Sequence, residues 1–263
     1  MAENASDLRE RLRDRLVDAL APREDVLAIG STGSDATGRT YEHSDLDLAV
    51  VVAEGAAEEV LAAARQAVEE LAPVRAAWRI PEPAWHGFSQ VFLSFEGWPE
   101  SLMLDLAVIP VSVPAERRFL ERERHGEAEV LHDPGGLLAP RALDRDAHLD
   151  GARAALETLR ARAALFGHMP AKALARGHLV EAAAFHQSFV VGPLVQLLRL
   201  RHCPDRFDYG PRYLDRDLPD EARELLEQLS FAADAEALSR AVELGRARLA
   251  DELADLDAGR WSL

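Results

Sequence analysis

The sequence predicts an α+β protein, with a small mixed sheet in the first half of the chain and an all-α domain in the second. Three observations predict it. Apolar runs of strand length are confined to residues 26–109, helical periodicity alone is found from Asp144 onward, and a turn cluster, His132-Asp133-Pro134-Gly135-Gly136, lies between the two regimes. A chain of 263 residues is long enough to bury two modest cores. The expected domains are residues 1–140 and 141–263.

The elements follow in order. Leu8, Leu12, Leu16 and Leu20 stand at helical spacing, so residues 6–20 predict an amphipathic helix that Pro22 ends. The run Val26-Leu27-Ala28-Ile29 predicts a buried strand, and a segment rich in Gly, Ser and Thr over 30–44 delivers the chain into a second strand, Asp45 to Val52. Val60, Ala64, Val68 and Leu71 predict a helix over 56–72, closed by Pro73. Gln90–Phe95 and Leu102–Ile109, joined by Glu96-Gly97-Trp98-Pro99-Glu100, predict a β-hairpin with a slightly long loop. The second half shows helical spacing at Leu149, Leu156, Leu159 and Phe166, over 178–201, over 219–230, and at Leu238, Val242, Leu249 and Leu253.

Composition narrows the function classes. No apolar run approaches the roughly 18 to 20 residues of a membrane-spanning helix, and the first residues are charged where a secretory signal is apolar, so a soluble cytoplasmic protein is expected. With Cys203 as the single cysteine, no intrachain disulfide or cysteine-rich zinc cluster can form. The formal net charge of −16 disfavours a nucleic-acid partner, because gripping a phosphate backbone calls for a basic surface. An acidic surface suits cationic small molecules and equally serves solubility.

The chemistry concentrates at Asp45 and Asp47. Alternation along a strand puts both carboxylates on one side, about 7 Å apart, while Leu46 and Leu48 turn to the core. Two like charges so placed repel, and a cation between them resolves the repulsion. Paired hard oxygen ligands with room for water and phosphate suit Mg²⁺. Asp105 interrupts the apolar run Leu102–Ile109, and a third carboxylate on an adjacent strand would complete a cradle for two ions. The glycines before Asp45 let backbone N–H groups approach phosphate oxygens. That loop is neither a Walker A motif nor a dinucleotide fingerprint, and Lys172 is the chain's only lysine.

Gly-Ser, then Ser44-Asp45-Leu46-Asp47-Leu48, then Asp105 resembles the pattern of the DNA polymerase β superfamily of nucleotidyltransferases. Two pairs fit the Gly-Ser position: Gly33-Ser34 has the usual spacing, whereas Gly30-Ser31 directly follows the apolar strand. A small catalytic domain followed by a helical one, including Arg212–Glu221, looks like the aminoglycoside and lincosamide nucleotidyltransferases. The resemblance implies ATP or another nucleoside triphosphate as donor, two Mg²⁺ ions held by Asp45, Asp47 and Asp105, and adenylylation of a hydroxyl on a small molecule, such as an antibiotic. It implies phosphate contacts from the Gly-Ser loop, a general base from the helical domain, for which Glu181 is the candidate, and a triphosphate contact from Lys172. Modification of a protein or transfer RNA, and an idle nucleotide-binding module, are the alternatives.

The other conspicuous residues read more plainly. Nine histidines include no HExxH and no closely spaced pair, so they are expected in packing or at the surface. Trp78, Trp85 and Trp98 flank the hairpin and read as packing, with the lining of an acceptor pocket as the alternative. The stretch Arg117–Arg124 alternates sign and reads as a solvated helix face.

Overall fold

A computed structural model of the chain describes residues 4–33, 44–118 and 120–261. The fold is α+β and divides into two compact units, Met1–Leu143 and Asp144–Leu263. The first unit runs α1 (Ala5–Leu20), β1 (Val26–Ser31), β2 (Leu46–Val52), α2 (Ala57–Glu69), β3 (Val74–Arg79), β4 (Ser89–Phe95), β5 (Met103–Pro110), the single turn α3 (Arg122–His125) and β6 (Glu129–His132). Six strands form one sheet in the order β3-β4-β5-β2-β1-β6. All neighbours are antiparallel except β2 and β5, which run parallel in the centre.

Alternation explains the two faces of this sheet. Leu46, Leu48, Val50 and Val52 of β2 and Leu104, Leu106 and Val108 of β5 pack against Leu12, Leu16 and Leu20 of α1 and Val60, Ala64 and Val68 of α2. Each of these leucines removed from water stabilises the unit by about 1.5–3 kcal/mol before entropy is counted. Asn4 starts α1 by accepting the Asp7 N–H at 2.8 Å. On the opposite face, Phe88 and Val113 cover Ala49 and Ile109, while Leu120 and Leu138 cover Ala28 and Val51. Asp47 and Asp105 lie on that second face, at the start of the two central strands, and are only half-buried.

The predicted hairpin forms as β4 and β5, with Gln90 opposite Ala107 and Phe92 opposite Asp105. Four features depart from the sequence reading. One is β3, a largely exposed strand between α2 and β4 that the reading does not name. The second strand begins at Leu46, because Asp45 lies just outside it. A short β6 joins the edge beside β1, supplied by a segment whose alternation is too brief to register. Arg118 is buried, not solvated: its guanidinium donates to the carbonyls of Val113 at 2.8 Å and Val111 at 2.7 Å, which closes the turn after β5.

In the second unit, α4 (Arg145–Phe166), α5 (Met169–Leu174), α6 (Leu179–His186), α7 (Gly192–His202), α8 (Leu214–Asp217), α9 (Asp220–Ser230) and α10 (Ala235–Asp257) follow one another, with a π-helical turn, Gln187–Val191, between α6 and α7. Asp144 and Asp234 cap α4 and α10 by accepting the N–H groups of Ala147 at 3.1 Å and Ala237 at 2.7 Å. The apolar core gathers Leu194, Leu198, Leu226 and Leu229 in one cluster and Leu156, Leu197, Leu200 and Leu249 in another. Among the described residues, no helix is long and apolar enough to cross a membrane.

Candidate active site

The site is built by strand register. Asp47 on β2 and Asp105 on β5 are direct partners across the parallel pair, so their side chains leave the same face about 4.8 Å apart at the backbone. Phe92 on β4 is the next partner of Asp105, and Trp78 on β3 is the partner of Phe92. One row thus crosses four adjacent strands: Trp78, Phe92, Asp105, Asp47. On its other side, the Thr32 N–H donates to the Asp47 carbonyl at 2.9 Å, which brings Thr32 and Gly33 alongside.

Gly33 is in the left-handed region at φ +64°, and a Cβ there would lie 1.8 Å from Asp47 Oδ2 and 2.7 Å from its Cγ. Its backbone therefore rests directly on the Asp47 carboxyl group, which any side chain at position 33 would displace. Gly30 behaves differently. It sits within β1, paired with Ala49 and Val130, and a Cβ there would meet Leu138 at 2.9 Å. Ser31 is fully buried, with its Oγ 3.4 Å from the Asp47 carbonyl. Ser34 lies outside the described residues.

The electrostatics of the carboxylates follow from their surroundings. Burial pushes the Asp105 carboxyl up from the usual range, a hydrogen bond from Gln90 Nε2 at 2.6 Å opposes that, and the neighbouring Asp45 carboxylate adds to it. Burial also raises Asp45, against the Met103 N–H it accepts and the charge of Arg9. The Arg9 guanidinium is tied to the same residue, with Nε donating to the Asp45 carbonyl at 3.0 Å.

These residues fit Mg²⁺ by the chemistry of their donors: hard carboxylate oxygens, partly withdrawn from water and crowded by one another. Among the described residues, no three acidic, histidine or cysteine side chains converge to hold an ion by themselves. An ion here would draw on one or two carboxylates and complete its shell with water and phosphate oxygens, as Mg²⁺ prefers.

Glu181 and Lys172 belong to the second unit. Glu181 is exposed in the first turn of α6, 3.1 Å from His178 Nδ1, and Lys172 is exposed in the last turn of α5. Sequence reasoning missed Gln90 and Arg9. Gln90 stands two residues from Phe92 and so on the face of Asp105, a placement that needs the hairpin register. Arg9 sits within the buried stripe of Leu8 and Leu12, where a charged residue on an apolar helix face was a readable signal. Of the tryptophans, Trp98 packs on Phe95 at 4.8 Å, whereas Trp78 and Trp85 are exposed.

No family model and no curated protein matches the chain. Among solved structures it is similar to an aminoglycoside 6-adenyltransferase from Bacillus subtilis, at 15% identity and a TM-score of 0.34 over 95% of each chain. It is similar to spectinomycin adenyltransferase AAD(9) from Enterococcus faecialis, solved with ATP and spectinomycin, at 13% identity and a TM-score of 0.39 over 92% of this chain and 99% of that one. A third is CdnC of E. coli MS115-1 with ATP, at 16% identity and a TM-score of 0.30 over 92% of this chain and 90% of that one. The first two likenesses extend over nearly the full length of the adenyltransferases concerned.

Proposed function

We propose that the chain is a Mg²⁺-dependent nucleotidyltransferase that moves a nucleoside monophosphate, AMP from ATP, onto a hydroxyl of a small molecule. The observation that carries this reading is the pairing of Asp47 with Asp105 across the central strands, with the Gly33 backbone resting on Asp47. Crowded, half-buried carboxylates beside a glycine turn are a costly arrangement for a merely structural sheet, and a useful one for gripping a metal-bound triphosphate.

In the reaction, the acceptor oxygen bonds to the α-phosphorus, the bond from that phosphorus to the bridging oxygen breaks, and pyrophosphate leaves. Of Asp45, Asp47 and Asp105, one or two carboxylates would hold each Mg²⁺, which when bound neutralises phosphate charge and lowers the pKa of an attacking hydroxyl. Gly33 keeps Asp47 in place and offers backbone close to the phosphates. Gln90 holds the Asp105 carboxylate in one orientation, and Arg9 fixes the backbone of Asp45. Glu181 is the proposed acceptor of the hydroxyl proton. The acidic chain favours a small acceptor over a nucleic acid, for which a basic groove is needed.

Incubation with α-labelled ATP, Mg²⁺ and a panel of hydroxylated small molecules tests the reading. Wild type is expected to transfer label, and Asp47→Asn to lose on the order of a hundredfold or more in rate while keeping its fold by circular dichroism. Undiminished transfer by Asp47→Asn would refute the metal-ligand assignment, and label appearing on protein or RNA in extract would move the acceptor to a macromolecule.

A further inference from the structure

Beyond Asp105 the sheet does not end in polar residues. The row continues into Phe92 and Trp78, whose rings stack with centroids 5.3 Å apart and planes 19° from parallel. A second row on the same face, two residues along, is Ala76, Ser94 and Met103. The two rows together line a recess of about 470 Å³, to which Ala77 also contributes. Its lining is made of small residues, two rings and a thioether. None of its six lining residues is charged, and Ser94 alone among them carries a polar side chain. Trp78 remains 58% exposed although it stands on β3, which is poor placement for an indole that serves only packing.

Resting on the nucleotidyl-transfer reading, the geometry points to this recess as the acceptor subsite, and to an acceptor that presents a flat, uncharged ring next to its reacting hydroxyl. Two arguments converge. Attack on the α-phosphorus is in line with departure of pyrophosphate. The Gly33 turn lies on the β1 side of Asp47, so a pyrophosphate held there places the incoming hydroxyl on the opposite side, over Asp105 and toward Phe92. The surface met in that direction is apolar and aromatic, which recognises a ring by stacking and offers no carboxylate to the several ammonium groups of an amino sugar. The size is that of a small-molecule site.

The test uses the full chain, α-labelled ATP with Mg²⁺, and two probe sets: hydroxylated fused aromatics such as naphthols, and polycationic aminoglycosides. Because Trp78 is exposed, Trp78→Ala keeps the fold. It is expected to raise KM for the aromatic acceptors about tenfold, in keeping with the loss of one stacking platform, and to leave KM for ATP unchanged. Trp78→Phe, which keeps a flat face, is expected to recover most of the loss. Equilibrium binding of a naphthol to wild type and Trp78→Ala without ATP reads the subsite separately, so failure of nucleotidyl transfer and failure of the subsite are distinguishable. A rise in KM for ATP would make the recess the seat of the donor base and overturn the proposal. So would transfer to aminoglycosides alone with no effect of Trp78→Ala, or equal naphthol binding by both proteins.

Discussion

Asp105 and Asp217 are both aspartates withdrawn from water, one in each unit, and their surroundings are opposite. Asp217 lies in a full set of cations: Arg199 Nη1 donates to it at 2.9 Å and Arg206 Nη2 at 2.7 Å. Arg199, itself fully buried, also holds the carbonyls of Gly210 at 2.8 Å, Arg206 at 3.3 Å and Arg212. That network ties the turn between α7 and α8 to the helical core. Asp105 has the neutral amide of Gln90 and the electrostatic pressure of a second carboxylate, Asp45. A charge whose partners are built into the fold serves architecture. A partly buried carboxylate set between an amide and another carboxylate raises the free energy of the fold, and a ligand can lower it.

Because the Asp217 network is satisfied internally, removing Asp217 leaves the buried Arg199 and the partly exposed Arg206 without their counter-charge. Asp217→Asn is therefore expected to cost about 3–5 kcal/mol, read as a lowered urea midpoint, with a change near zero showing that the ion pair is dispensable. A gentler contrast comes from pH. Burial lowers the pKa of His86 in the first unit and of His186 and His202 in the second. Below the unfolded value of about 6.5, the unfolded chain takes up protons that the folded chain refuses. Stability is thus fully present above that pH and declines as pH falls through it toward the folded values. His186 Nε2 donates to the Leu229 carbonyl at 2.8 Å, so His186→Gln can keep a hydrogen bond while removing the titration. The slope of unfolding free energy between pH 6.5 and 5 is expected to shrink by up to one proton, and an unchanged slope would show that His186 titrates alike in both states.

The same contrast explains what the sequence could and could not reveal. Asp47 and Asp105 were legible because each breaks a local rule, a charge inside an apolar strand run, and local alternation gives their faces. Asp45 was legible as the charge that precedes such a run, but it lies before β2, where strand alternation does not set its face. The long helices of the second unit were legible from spacing, whereas the short α5 and α8 were not. The pairing of Asp47 with Asp105 was not, since β2 and β5 are separated by two other strands and join only through the tertiary fold. For the same reason Phe92 drew no notice and Trp78 read as packing first, with an acceptor pocket as the alternative: their place in the carboxylate row is a property of register across four strands. Arg118 was misread because sign alternation in sequence says nothing of which arginine finds carbonyls to cap. Gly33 and Gly30 were equivalent as letters and differ as conformers, one resting on Asp47 and the other held within the sheet.

The most direct check is a single variant read two ways. An acid whose folded pKa is raised loses stability as pH rises through that value, so ionised Asp105 weighs against the fold at neutral pH. Asp105→Asn, measured by denaturant unfolding at pH 7 and by label transfer with Mg²⁺ and ATP, is expected to be more stable than wild type and inactive. A variant that is less stable, as expected of Asp217→Asn, and still transfers label would contradict the assignment of this carboxylate to chemistry.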